Sequence, residues 1–316
     1  TPSPDGRFLL MEWLSEQFSY QVPWSRFALT TAVYTRDGKL VATIAEQPPA
    51  DALPVQGVVT GRRNIQWHPT EDALLLWAEA QDGGDPRVKT DNRDNVLALA
   101  APFTGEGRLL ARLEDRASGM MGIEGTDDLM VYEYDRDTRE LRQMLVDVND
   151  GTAPRQLGIR NIQDAYNDPG QPLTTYTDRG QVVARNLGGQ LLLSGGGATP
   201  EGLRPFLRRF DLPSLETEEI WRNSGEQLES VIDVVSPDGS AFITFYESPT
   251  NPGNVRLHTN GTARFLTDFP DPHPELTGIK RELVTYKRAD GVDLTATLYL
   301  PPSYKDGDKV PVVVWA

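Results

Sequence analysis

Four times along this chain a short turn leads into a strand-like run. The stretches are SPDGRFLLMEW from Ser3, HPTEDALLLWAEA from His68, GTDDLMVYEY from Gly125 and SPDGSAFITFYES from Ser236. A fifth, YNDPGQPLTTYTD from Tyr166, keeps the pattern more loosely. Each pairs residues that tolerate turn angles with Leu, Phe, Val or aromatic residues that suit a pleated surface. Pro4 and Pro69 are 65 residues apart, and Pro169 and Pro237 are 68 apart. Propeller blades recur every ~40–50 residues, so these would be blades carrying loop insertions. A β-sandwich with coincidental SPDG turns is the alternative.

Helical periodicity is scarce, and hairpin signals are frequent. TAVYTRDGKLVATIA, from Thr31, reads as two strands around Asp37-Gly38. VRLHTNGTARFL, from Val255, reads as two more around Asn260-Gly261. Residues 1–267 therefore read as an all-β propeller of about five blades. The first blade begins at its turn, so the ring is expected to be a larger one that is N-terminally incomplete. Residues 268–276, DFPDPHPEL, are rich in Pro and Asp and read as a linker.

Residues 277–316 have another character. Val292, Leu294, Ala296, Leu298 and Leu300 alternate with Asp293, Thr295, Thr297 and Tyr299, as in a half-buried strand. Asp290-Gly291 before it predicts a hairpin turn with both central residues at positive φ. After Pro301-Pro302 the run Val310 to Trp315 is almost wholly apolar, which suits a strand buried on both faces. The segment reads as the initial strands of an α/β domain whose remainder is not in this sequence.

Composition excludes several classes of function. With 31 basic against 46 acidic residues the net charge is −15, which argues against general binding to nucleic-acid phosphates. There is no cysteine, hence no disulfide framework and no thiolate metal site. No apolar stretch approaches the ~18 residues of a membrane span, and no membrane partner is implied. The first ten residues lack the charged and apolar regions of a signal peptide. The absence of cysteine fits cytoplasm and periplasm alike; with the family resemblance described below, the expectation is a periplasmic or exported protein, with the cytoplasm as the alternative.

Catalytic motifs are missing too. No serine lies in G-x-S-x-G. His68, His258 and His273 are far apart and lack metal-ligand spacing, so each reads as structural or solvated. In SGGGATPEG, from Ser194, Pro200 stands where a dinucleotide fingerprint needs glycine, and no Lys-Ser/Thr follows; a flexible inter-strand loop is the reading. DVNDG, from Asp147, lacks the acidic spacing of a calcium loop and reads as a turn. No cofactor or metal is implied. EGLRPFLRRFDL, from Glu201, is the exception: it gathers Arg204, Arg208 and Arg209 in an acidic chain, and guanidinium forks bind carboxylates bidentately. Solvated or salt-bridged arginines are the alternative.

Ring-like blades leading into LVTYKRADGVDLTATLYLPPSYKDGDKVPVVVWA resemble the propeller–hydrolase junction of the prolyl oligopeptidase family of serine peptidases. WAEAQDGGDPRVKTDNRD, DAYNDPGQPL, GGGATPEGLRPFL and LTDFPDPHPEL narrow the resemblance to its glutamyl endopeptidase-like branch. The resemblance implies a parent peptidase acting on peptides after glutamate, with a Ser-Asp-His triad in a hydrolase domain beyond Ala316. No catalytic residue is then expected in this chain, which alone would be inactive. Its blades would gate access, and the Arg204, Arg208 and Arg209 loop would face the cavity and pair with the substrate carboxylate. A stand-alone binding propeller, or a structural domain of an assembly, remains open, as does the oligomeric state.

Overall fold

A computed structural model describes residues 1–15, 18–149, 154–236, 238–248 and 251–315. Pro237 of the second SPDG turn, residues 150 and 151 of DVNDG and the terminal Ala316 lie outside these. Among the described residues the regular structure is β, apart from two single 3₁₀ turns at Trp24–Arg26 and Pro274–Leu276. The chain divides into two compact units, Thr1–Asp168 with Pro172–Leu192 and Phe210–Thr217, and Pro169–Gln171 with Leu193–Arg209 and Glu218–Ala316.

The first unit opens with a three-stranded antiparallel sheet of β1 (Phe8–Leu14), β2 (Leu29–Thr35) and β3 (Leu40–Gln47), in that order. A four-stranded sheet follows, of β4 (Arg62–Trp67), β5 (Leu74–Ala80), β6 (Asp94–Ala100) and β7 (Arg108–Leu113). The third sheet contains β8 (Arg116–Ile123), β9 (Asp128–Asp135), β10 (Glu140–Asp147) and β11 (Arg155–Asn161). After the two-residue β12 (Gln171–Pro172), the hairpin of β13 (Thr174–Tyr176) and β14 (Val182–Ala184) returns to the third sheet. There β14 lies parallel to β8, with Val183 opposite Gly122.

The repeated turns have a shared job. Those at His68 and Gly125 join the first strand of a sheet to its second, and the Ser3 turn precedes β1 in the same sense. The Tyr166 stretch is out of phase, because it precedes the first strand β12. The matching turn there is the one capped by Asn186, whose side chain accepts from the Gly189 N–H at 2.8 Å.

The LLLWAEA run of β5 explains the packing. Leu75 and Trp77 point to one side, into a cluster with Leu10, Val33 and Ile44 of the first sheet. Leu76 and Ala78 point to the other, into a cluster with Ala117, Leu129, Val131 and Val146 of the third. A strand buried on both faces has no polar alternation to display. Face-to-face stacking of successive antiparallel sheets is the packing of propeller blades, whereas a sandwich pairs only two sheets.

Polar clamps join the same neighbours. Arg62 donates to the Ile44 carbonyl at 3.3 Å, Arg108 to Val148 at 2.5 Å and Arg155 to Leu212 at 2.6 Å. Asp94 on β6 is fully buried and accepts from Arg63, from Arg116 Nη1 at 2.9 Å and from the Ala117 N–H at 2.6 Å. Arg116 and Arg93 also donate to Asp82. The WAEAQDGGDPRVKTDNRD stretch is thus the β5–β6 connection, anchored at Asp82 and Asp94.

His68 is wholly buried, and its Nδ1 accepts from the backbone N–H groups of Thr70 and Glu71 at 3.3 and 3.2 Å. Its Nε2 lies 3.2 Å from the Asp127 carbonyl and donates there. Desolvation holds its pKa below the usual histidine value. Between that lowered pKa and the unfolded value of about 6.5, the unfolded chain binds more protons, so stability falls as pH drops through this window. Below about pH 6.5 the stability curve of His68→Gln should therefore be flatter than that of the parent in urea titrations. Parallel curves would remove the assignment.

A four-stranded sheet follows, of β12, β15 (Gln190–Gly195), β18 (Phe206–Asp211) and β19 (Thr217–Arg222). The small hairpin of β16 (Ala198–Thr199) and β17 (Gly202–Leu203) sits between β15 and β18 in sequence. The second unit then holds the four-stranded sheet β20 (Leu228–Val234), β21 (Ala241–Ser248), β22 (Asn251–Thr259) and β23 (Thr262–Phe265). Its interior is partly polar: Glu229 accepts from Thr244 at 2.6 Å and lies 2.8 Å from His258 Nε2. The His258 ring stacks on Phe242 with centroids 4.6 Å apart. Last comes the antiparallel hairpin of β24 (Lys280–Lys287) and β25 (Asp293–Leu300).

Two sequence expectations need correction. Only the Asn260-Gly261 turn puts both central residues at positive φ; at Asp37-Gly38 and Asp290-Gly291 only the glycine is left-handed. Those loops hold three residues, closed by Thr35–Lys39 and Arg288–Val292 hydrogen bonds, so a type I turn plus one left-handed glycine suffices. The run from Val310 to Trp315 is not a strand, and Val312 to Trp315 are 75–95% exposed. A strand needs a neighbour for its N–H and C=O groups, and no described residue supplies one.

Candidate functional site

The arginine-rich stretch begins in the β15–β18 connection and runs into β18. Period 2 decides where its side chains go. Phe206 and Arg208 share one face of β18, and Arg209 takes the other. Arg204 lies in the loop before the strand and donates to the Gly225 carbonyl at 2.8 Å. Arg209 bonds Glu218 at 2.7 Å and the Asp238 carbonyl at 2.8 Å. That contact ties β18 to the turn after β20, as the other arginine clamps tie their sheets.

Arg208 is differently placed. Its guanidinium lies 4.1 Å above the buried Phe206 ring, and its Nε and Nη2 are both 3.5 Å from Glu219 Oε2. Arg222, at the end of β19, completes the group. Its Nε meets Glu219 Oε1 at 3.0 Å, Nη2 meets the second oxygen, and Nη1 donates to the Arg204 carbonyl at 3.1 Å. Its carbon is 5.2 Å from the Phe206 ring. The Arg222 hydrogen bonds hold the Glu219 carboxyl below its usual pKa, and Glu219 raises that of Arg222. Two guanidinium groups thus share one carboxylate, and no second carboxylate joins them among the described residues.

The structure therefore separates the three predicted arginines and gathers Arg208 with Arg222, which sequence reading missed. Alternation along β19, TEEIWR, did not announce the pair, because period 2 sets residues three apart on opposite faces. Among the described residues no three His, Asp or Glu side chains are grouped to hold a metal.

No family model matches the chain. Over its entire length it is 36% identical to a rice (Oryza sativa subsp. japonica) protein named "Probable glutamyl endopeptidase, chloroplastic", covering 36% of that protein. An Arabidopsis thaliana protein of the same name is 35% identical, again over the whole chain and 35% of the relative. The chain thus spans about a third of the curated relatives it matches. A dipeptidyl aminopeptidase IV structure from Bacteroides ovatus superposes with TM-score 0.58 at 17% identity, covering 98% of this chain and 45% of that one. The Pyrococcus horikoshii acylaminoacyl peptidase gives 0.50 at 15%, covering 97% and 44%. The fold is the β-propeller of these peptidases, and by sequence and fold together the chain is a relative of the glutamyl endopeptidase-like branch of the prolyl oligopeptidase family.

Proposed function

We propose that this chain is the gating and specificity portion of a serine peptidase that cleaves peptides after glutamate. Identity of 36% along every residue of the chain to a glutamyl endopeptidase is the observation that carries the reading. Residues 277–316 then correspond to the first strands of the α/β-hydrolase domain, and residues 268–276 to the linker into it. The Ser-Asp-His triad belongs to the remainder of that longer polypeptide. Residues 1–316 alone bind peptides and do not hydrolyse them. Arg204, Arg208 and Arg209 remain the proposed specificity residues, with Arg208 the least committed elsewhere. A neutral substrate forgoes the charge-assisted hydrogen bonds that a carboxylate makes to an arginine, and is disfavoured by that difference.

The intact protein should label with a serine-directed fluorophosphonate and cleave a Glu-containing peptide at least about tenfold faster than its Gln isostere. Residues 1–316 alone should do neither. Equal cleavage of the two peptides would remove the specificity, and hydrolysis by the isolated piece would remove the division of labour.

A further inference from the structure

The glycine tract before β16 has a steric purpose that connects it to the arginines. A Cβ on Gly195 would lie 2.7 Å from Cζ of Phe206 and 3.1 Å from Cα of Gly170. A Cβ on Gly197, at φ +57°, would collide with the Arg204 carbonyl and approach Arg222 Nη1 to 2.9 Å. Both glycines clear space, one for the Phe206 ring and one for the Arg222 guanidinium. The ring lies under Arg208 and Arg222, and a cation over an aromatic face is favoured by the ring quadrupole. GGGATPEGLRPFLRR and the distant Arg222 thus build one structure, a platform presenting two guanidinium groups.

What fills it is a carboxylate from the same chain. Glu219 is held bidentately by Arg222 and only at 3.5 Å by Arg208, and its side chain is 40% exposed. Arg208 has five N–H donors, and its contacts to Glu219 are longer than a charge-assisted bond prefers. In a chain of net charge −15 this is a local surplus of positive charge beside an exchangeable anion.

We propose that Arg208 and Arg222 form a carboxylate-binding site which Glu219 occupies until a glutamate side chain of an acidic peptide displaces it. This rests on the peptidase reading above and adds a mechanism of selection to it. A glutamate replaces Glu219 like for like, so little net charge is desolvated. A glutamine offers no charge in exchange, and the resident Glu219 keeps the site.

The test separates binding from hydrolysis. A peptide with a reduced, uncleavable bond after glutamate, and its glutamine isostere, are titrated calorimetrically into the intact protein. Glu219→Gln, which keeps shape and removes the competitor, should tighten the glutamate peptide about two- to fivefold and leave the glutamine peptide unchanged. Arg208→Gln, whose lost contacts are long ones, should weaken the glutamate peptide about tenfold or more. Equal shifts for both peptides, or no shift in either variant, would overturn the site. Glutamate-selective binding without any peptide hydrolysis would keep the site and overturn the peptidase reading instead.

Discussion

Asp94→Asn should lower the unfolding free energy of the protein by about 3–5 kcal/mol, the usual cost of removing one partner from a buried ion pair. Asp94 is fully buried and accepts from Arg63, Arg116 and the Ala117 N–H. Asparagine keeps the volume but loses the charge, and its NH₂ faces donors where an acceptor is needed. Arg116 retains Asp82, whereas Arg63 has no second carboxylate among the described residues. At about 2–4 °C per kcal/mol for a domain of this size, the thermal midpoint should fall by roughly 6–20 °C. Differential scanning calorimetry reads this directly. A drop of only a degree or two would mean that water or rearrangement rescues the guanidinium groups, and the clamp would not be what joins the second and third sheets.

Trp77→Ala should cost a similar amount, about 3–5 kcal/mol, by a different mechanism. Its indole is fully buried between the first and second sheets. Arg62 sits 4.5 Å over the ring, and the indole N–H donates to Glu79 at 2.7 Å. Gly107, at φ +90°, is glycine because a Cβ there would lie 2.7 Å from Cζ2 of Trp77. Alanine leaves a cavity, a Glu79 oxygen without its indole donor and an arginine without its ring. Trp77→Phe refills most of the volume and should recover more than half of the loss in urea unfolding. If the phenylalanine variant is as unstable as the alanine one, the indole hydrogen bond rather than packing dominates.

These two residues also show what the sequence made legible. LLLWAEA was readable as a strand; that both of its faces are buried comes from the sheets stacked on either side of it. The turn-plus-strand repeats marked the blades because Asp, Asn and Gly at fixed places dictate local backbone angles. Contacts across long sequence separations were not readable. Nothing in the order of residues says that Arg63, Asp94 and Arg116 meet, since strand pairing and sheet stacking bring them together. The same holds for Arg208 and Arg222. Arg208 and Arg209 could have been separated in advance, because neighbours on a strand point to opposite faces. The run from Val310 forms no strand in this chain, because its composition suits one while strand formation depends on a pairing partner.

The parallel addition of β14 to β8 bears on how the protein is made. Gly122 and its partner Val183 are 61 residues apart in sequence. At roughly 5–20 residues per second, a ribosome takes on the order of 3–12 s to deliver the second after the first. Through that interval β9, β10 and β11 can already pair in order, while the far side of β8 stays an open edge. Open edges recruit strands from other molecules. The nascent chain is therefore most vulnerable to misassociation between its hundred-and-twenties and hundred-and-eighties, before the late hairpin arrives to close the sheet.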